Sequence, residues 1–104
     1  MRLKDIMLAA AVALSMPAQA QETGQAGRGL ALAQRLCAEC HAIEKQYARS
    51  PNANAPRFQA VASTPGMTAM ALSAALNTSH HSMPNILLAA DEQADIIAYI
   101  LSLK

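Results

Sequence analysis

Residues 37–41 read CAECH and hold the only two cysteines of the 104-residue chain, with a histidine immediately behind them. A cysteine pair at this spacing has three chemical uses: a disulfide, a metal-binding or redox dithiol, or the covalent seat of a prosthetic group. Each needs a different frame around it, so the flanking sequence decides between them.

Upstream, Arg2 and Lys4 precede an apolar run from Ile6 to Leu14, and Ala18-Gln19-Ala20 supplies the small-x-small pattern that signal peptidase accepts. The run falls short of the roughly 20 apolar residues of a permanent membrane span. Residues 1–20 are therefore expected to be a secretory signal peptide removed after Ala20, which leaves residues 21–104 as one exported, periplasmic domain that does not span the membrane. A domain of that size builds only a small apolar core and usually leans on a staple, a metal or a cofactor.

From Gln21 onward six basic residues (Arg28, Arg35, Lys45, Arg49, Arg57, Lys104) face six acidic ones (Glu22, Glu39, Glu44, Asp91, Glu92, Asp95). A balanced charge of this kind points away from nucleic acid and from an anionic membrane surface as partners. The aromatics are Tyr47, Phe58 and Tyr99 alone, with no tryptophan. So thin an aromatic content suggests that something other than side chains fills the middle.

The periodicity predicts helices and loops. Between about Gly27 and Ala42, Leu30, Ala33, Leu36 and Cys37 fall on one helical face, which predicts a first helix ending in or just after the cysteine motif. Residues 48–57, with Pro51 and Pro56, read as loop. A short helical turn is expected over Phe58–Ala62, a break at Ser63-Thr64-Pro65-Gly66, and a second full helix from Thr68 to Leu76. Asn77 to Asn85 is again loop. The last segment, Asp91 to Leu103, has Ile96, Ile97, Ile100 and Leu103 on one face and Asp91 and Glu92 where the helix dipole favours negative charge. With no strand alternation and no internal repeat, the fold class is all-α, with a long loop on each side of the middle helix.

The motif can now be weighed against that frame. A Cys37–Cys40 disulfide would close a very short loop and remove little entropy from the unfolded chain. A thioredoxin-type dithiol calls for a βαβ context, which the sequence lacks. A zinc site would need His80 and His81 beside the cysteines, and adjacent side chains usually point apart. Covalent haem attachment uses every residue: the two sulfurs, about one helical turn apart, suit the two vinyl groups, and His41 then faces the iron from the proximal side. The export signal agrees with this reading, because c-type haem is attached outside the cytoplasm.

With these residues in view, the chain from Gln21 to Lys104 resembles the small bacterial periplasmic class I c-type cytochromes, monohaem proteins. Gly29 and Ala33 stand where that family has a glycine and usually an aromatic that pack against the C-terminal helix. Ala55-Pro56-Arg57-Phe58 is similar to the glycine-proline-x-leucine segment, whose proline carbonyl accepts a hydrogen bond from the axial histidine. SMPN, residues 82–85, resembles the axial-methionine loop, and DIIAYILSLK resembles the closing helix, with Tyr99 as its aromatic. Ala33 and Ala55 depart from the family's bulky residue and glycine. The resemblance implies the class I cytochrome c fold, helices and loops wrapped around one covalently bound haem c per chain.

The second iron ligand follows from the methionines. Met1, Met7 and Met16 leave with the leader, so Met67, Met70 and Met83 remain. Met70 lies mid-helix, where core packing is the ordinary role, and Met67 stands at a helix start. Met83 sits in a loop before Pro84, which biases it to an extended backbone, and it is the expected distal ligand opposite His41. His80 or His81 is the rival. The site is thus Cys37 and Cys40 for attachment, His41 and Met83 for the iron, and Pro56 and Phe58, with Val61 and Leu72, as its surroundings. His/Met ligation fills both axial positions and raises the reduction potential. The expected role is a one-electron carrier between periplasmic redox proteins and not an enzyme. The alternatives are a cytochrome subunit of a dehydrogenase, a gas- or peroxide-reactive haem protein, or, more remotely, a zinc-binding module. Lys45 and Lys104 are the only lysines after the leader, so partner docking should depend little on salt.

Overall fold

Four helices follow one another along the computed structural model, which describes residues 24–78 and 82–104: α1 (Ala26–Leu36), α2 (Phe58–Ala62), α3 (Ala69–Leu76) and α4 (Ala90–Leu101). The all-α class is as the sequence predicts. The leader and the pair His80 and His81 lie outside the described residues.

α4 is the element on which the others assemble, with α1, α2 and α3 all packed against it. Its first turn carries Asp91 and Glu92, and Glu92 Oε1 accepts the N–H of Ala89 at 3.0 Å, which satisfies one donor at the helix entrance. Ile96, Ile97, Ile100 and, just beyond the helix, Leu103 are all buried, as their spacing requires. Leu32, Phe58, Ala62 and Leu72 meet them from the other helices. The resulting core is small, and Ile96 is its largest fully buried side chain.

α1 approaches α4 closely enough for backbones to touch. A Cβ placed on Gly29 would lie 1.9 Å from the carbonyl oxygen of Asp95 and 2.8 Å from Tyr99 Cβ. One turn on, Ala33 is completely buried. Small residues at both positions let the helices meet without intervening side chains.

α1 has no side-chain cap of its own. Instead the Asp95 carboxylate of α4 stands at its N-terminus, where the helix dipole favours negative charge. The Gln25 N–H donates to Asp95 Oδ1 at 2.7 Å, and Arg28 Nε donates to Oδ2 at 3.0 Å. The backbone bond from Gln25 and the bond from Arg28 hold this carboxyl below the usual carboxylate range, against the opposing effect of its burial.

Two expectations need correction. The first helix stops at Leu36 and does not run through the cysteine motif to Ala42. Beyond that point the i to i−4 ladder is broken: Ala38 N–H returns to Ala33 O, Cys40 N–H closes a tighter turn on Cys37 O, and Ala42 N–H is taken by Ser50 Oγ. Its buried face is also Gly29, Leu32 and Ala33, while Leu36 is 40% exposed. Met70 is not core either, being 83% exposed. α3 buries Leu72 alone, and Met70, two residues before it, is rotated by about 200° to the outer side.

Candidate cofactor site

The CAECH stretch forms a turn of its own after α1. The N–H groups of Cys37 and Ala38 both reach Ala33 O, at 2.8 and 2.9 Å, which closes the helix, and the N–H groups of Cys40 and His41 fold back on Cys37 O at 3.1 and 2.9 Å. Two residues between the cysteines thus place both on one turn, each a half-buried free thiol. Burial pushes the Cys37 thiol up to about 11. A redox-active or metal-binding cysteine needs the opposite, a thiolate favoured by nearby positive charge or a helix N-terminus.

His41 is held from two sides. Its Nδ1 lies 2.7 Å from Pro56 O. A carbonyl oxygen only accepts, so Nδ1 carries the proton and Nε2 is left with its lone pair for a Lewis acid. The Phe58 ring packs beside the imidazole, with centroids 5.2 Å apart and planes at 48°. Phe58 is buried, opens α2, and is anchored by its N–H to Ala42 O at 2.9 Å.

The loop that carries Pro56 is folded by its own polar residues. Asn52 Oδ1 accepts from Asn54 N–H at 2.9 Å, an Asx turn, and Ala55 N–H returns to Asn52 O at 3.0 Å. Asn52 N–H ties the loop to Cys40 O, and Ser50 Oγ ties it to Ala42. These bonds set the Pro56 carbonyl beside the imidazole.

Above the turn opens a cleft of about 410 Å³, counting its solvent-facing mouth. Leu36 and Cys37 line it from the end of α1, Leu76 from the end of α3, Ile96 from α4, and Met83 with Ile86 from the loop between α3 and α4. The structure brings Cys37 and Met83 to one cavity, while Cys40, His41 and Pro56 stand outside its lining. Val61 is half-buried and Leu72 buried, both in or against the core. Ser82, just before Met83, has a φ of 67°, so the backbone turns sharply into the Met83-Pro84 pair. Ser50, Leu36 and Ile86 are site residues that sequence reasoning missed. The apolar run Ile86-Leu87-Leu88 after Met83-Pro84 is the one local signal that could have pointed to a cavity wall.

The residues present fit a haem. The cleft is walled mostly by apolar side chains, as a haem's hydrophobic faces require. It carries the soft sulfur of Met83, and a cysteine pair on one turn stands at its edge beside an imidazole already in the tautomer that binds metal. Among the described residues no three His, Cys, Asp or Glu side chains cluster as a metal site. The zinc reading depends on His80 and His81, outside those residues.

No family model and no solved structure matches the chain. Cytochrome c-552 of Bradyrhizobium diazoefficiens is similar to it, 36% identical over 104 residues that cover 100% of this chain and 97% of that protein. A likeness of that extent, joined to the attachment turn, the held histidine and the helical frame, shows the family: the chain belongs to the small class I c-type cytochromes, electron carriers with one covalently bound haem c.

Proposed function

We propose that this chain shuttles single electrons between periplasmic redox proteins, with Cys37 and Cys40 as the haem attachment points, His41 as the proximal iron ligand and Met83 as the distal one. The observation that carries the site is the 2.7 Å bond from His41 Nδ1 to Pro56 O. It leaves Nε2 as the only ring nitrogen able to bind iron and makes the imidazole a stronger donor. The haem, when bound, supplies the Fe(III)/Fe(II) couple. His41 and Met83 would both be committed to holding the iron, which would exclude exogenous ligands and leave the haem to supply electron transfer and not catalysis. The apolar walls, Leu36, Leu76, Ile86 and Ile96, keep water from the couple, and a soft thioether favours its reduced form.

The same reading has residues 1–20 as a signal peptide and residues 21–104 as the mature cytochrome. Arg2, Lys4, the Ile6–Leu14 run and Ala18-Gln19-Ala20 support it. No helix among the described residues is long and apolar enough to cross a membrane.

The test is the intact mass and visible spectrum of the protein exported from a host that has haem-attachment machinery. The expected product is red, begins at Gln21 and keeps one haem through denaturation and acid-solvent extraction, and its reduced form is inert to carbon monoxide. A colourless product of apo mass, from a host that matures a control cytochrome, would overturn the assignment of Cys37 and Cys40. Ready carbon monoxide binding would overturn the closed axial positions.

A further inference from the structure

Four hydrogen bonds pin the short segment that begins at the axial histidine's own turn. Two come from the loop that also holds Pro56, Asn52 N–H to Cys40 O at 3.1 Å and Ala42 N–H to Ser50 Oγ at 3.0 Å, and a third from the first residue of α2, Phe58 N–H to Ala42 O at 2.9 Å. The fourth comes from another part of the fold. Tyr99 Oη of α4 donates to Ile43 O at 2.6 Å, across 56 residues of sequence.

Tyr99 and Ile43 are both buried, 7% and 4% exposed. Water cannot replace the hydroxyl there, and a carbonyl stripped of its donor in such a place costs its full desolvation penalty. Tyr99 also has a second role, because its Cβ lies against Gly29 at the closest approach of α1 and α4. One side chain therefore closes the helix pair and grips the backbone two residues beyond His41.

We infer that Tyr99 is a positioning residue for the axial imidazole: through Ile43 O it holds the His41–Ile43 segment so that the Nδ1–H to Pro56 O bond stays short, and thereby tunes the reduction potential. The inference rests on the reading of His41 as an iron ligand. The physical link is ligand basicity. A short bond to a carbonyl pushes electron density onto the imidazole, which favours the oxidised iron, and a looser bond favours the reduced form. Removing the hydroxyl frees Ile43 O, relaxes the segment and weakens the Pro56 bond, so the potential should rise.

Tyr99→Phe removes the donor and keeps the ring that packs on α1. Ile100→Val serves as the control, since it trims a buried α4 side chain that stands outside the cleft lining and leaves the hydroxyl in place. On the haem-bound proteins, two quantities are read: the potential by voltammetry and the exchange of the ¹⁵N-labelled His41 Nδ1–H by NMR. The expected result is a threefold to tenfold shift toward the reduced form in Tyr99→Phe, about 28 to 59 mV at ~59 mV per tenfold. Faster Nδ1–H exchange should accompany it, with neither change in Ile100→Val. Equal changes in both variants, in step with lost stability, would make Tyr99 merely structural and overturn the inference. Unchanged potential and exchange in Tyr99→Phe would overturn it as well. If the His41 ring in the unmutated protein shows no iron-induced shift, the ligand assignment itself falls and the inference with it. That outcome is visible before any variant is made.

Discussion

Gly29→Ala and Gly27→Ala are the same chemical change two residues apart on one helix, and the structure predicts opposite signs for them. Alanine gains about 1 kcal/mol over glycine from helix preference alone. At Gly27 a new methyl meets nothing within 4 Å, so that gain should appear in full. At Gly29 the methyl would sit 1.9 Å from Asp95 O and 2.6 Å from its carbonyl carbon. Both are backbone atoms of a packed helix, so no side chain can turn aside. To restore even 3.0 Å, α1 and α4 must part by about 1.1 Å along that contact. A gap of that size forfeits up to about half of each dispersion contact across it, and the face it loosens holds Leu32, Ala33, Ile96 and Tyr99. The upper range of overpacking costs, about 3 kcal/mol, is the fitting one. Set against the helix gain, Gly29→Ala should lose about 2 kcal/mol. The two variants should then differ by about 3 kcal/mol, or some 12–24 °C in Tm for a domain of this size. Thermal and guanidinium unfolding of the haem-bound proteins, followed by far-ultraviolet circular dichroism, measures this directly. A Gly29→Ala protein as stable as Gly27→Ala would refute the backbone-close packing of α1 on α4.

Two further predictions concern the proposed iron ligand and the acid limb. Met83→Ala should abolish thioether ligation and lower the reduction potential by on the order of 0.1 V, part of the roughly 0.8 V range that axial ligands span. An unchanged potential and spectrum in a redox titration would show that Met83 is not the ligand. Asp95→Asn should lower Tm at neutral pH, because it weakens the bonds to Gln25 and Arg28. The Asp95 carboxyl is held below its ordinary value in the folded state. Its contribution is therefore present above the unfolded pKa of about 3.9 and is lost as pH falls through the folded-state value. The gap in Tm between parent and variant should narrow as the solution is acidified below about pH 4; a gap that widens there would contradict the assigned role.

Much of this protein was legible along the chain, and the reason is that the relevant signals are local. CAECH carries its signal in five consecutive residues, so the proposed attachment turn needed no tertiary knowledge to be found. The closing helix announced itself through Ile96, Ile97, Ile100 and Leu103 at helical spacing and through Asp91 and Glu92 at its entrance, and each of these residues stands where its pattern puts it. The Pro56 partner of His41 came from family resemblance, not from any property of the loop itself. The end of α1 and the exposure of Met70 went the other way. Helix periodicity continues through Cys37 to Ala42, but it does not record that Ala38 N–H turns back to Ala33 O and that Ser50 Oγ takes the Ala42 N–H a longer helix would use. Met70 has the hydrophobicity of a core residue, but which side of α3 is covered depends on where α4 lies.

What remained for the tertiary structure to decide was every contact between partners far apart in sequence. Asp95 caps a helix 70 residues away, and Tyr99 grips a carbonyl 56 residues away. Met83 joins Cys37 in one cleft only because α1, α3 and the following loop converge over Ile96. Periodicity, turn chemistry and capping act within a few residues and are written in neighbouring letters. A hydroxyl or carboxylate that finds its partner across the fold looks, in the sequence, like any other tyrosine or aspartate.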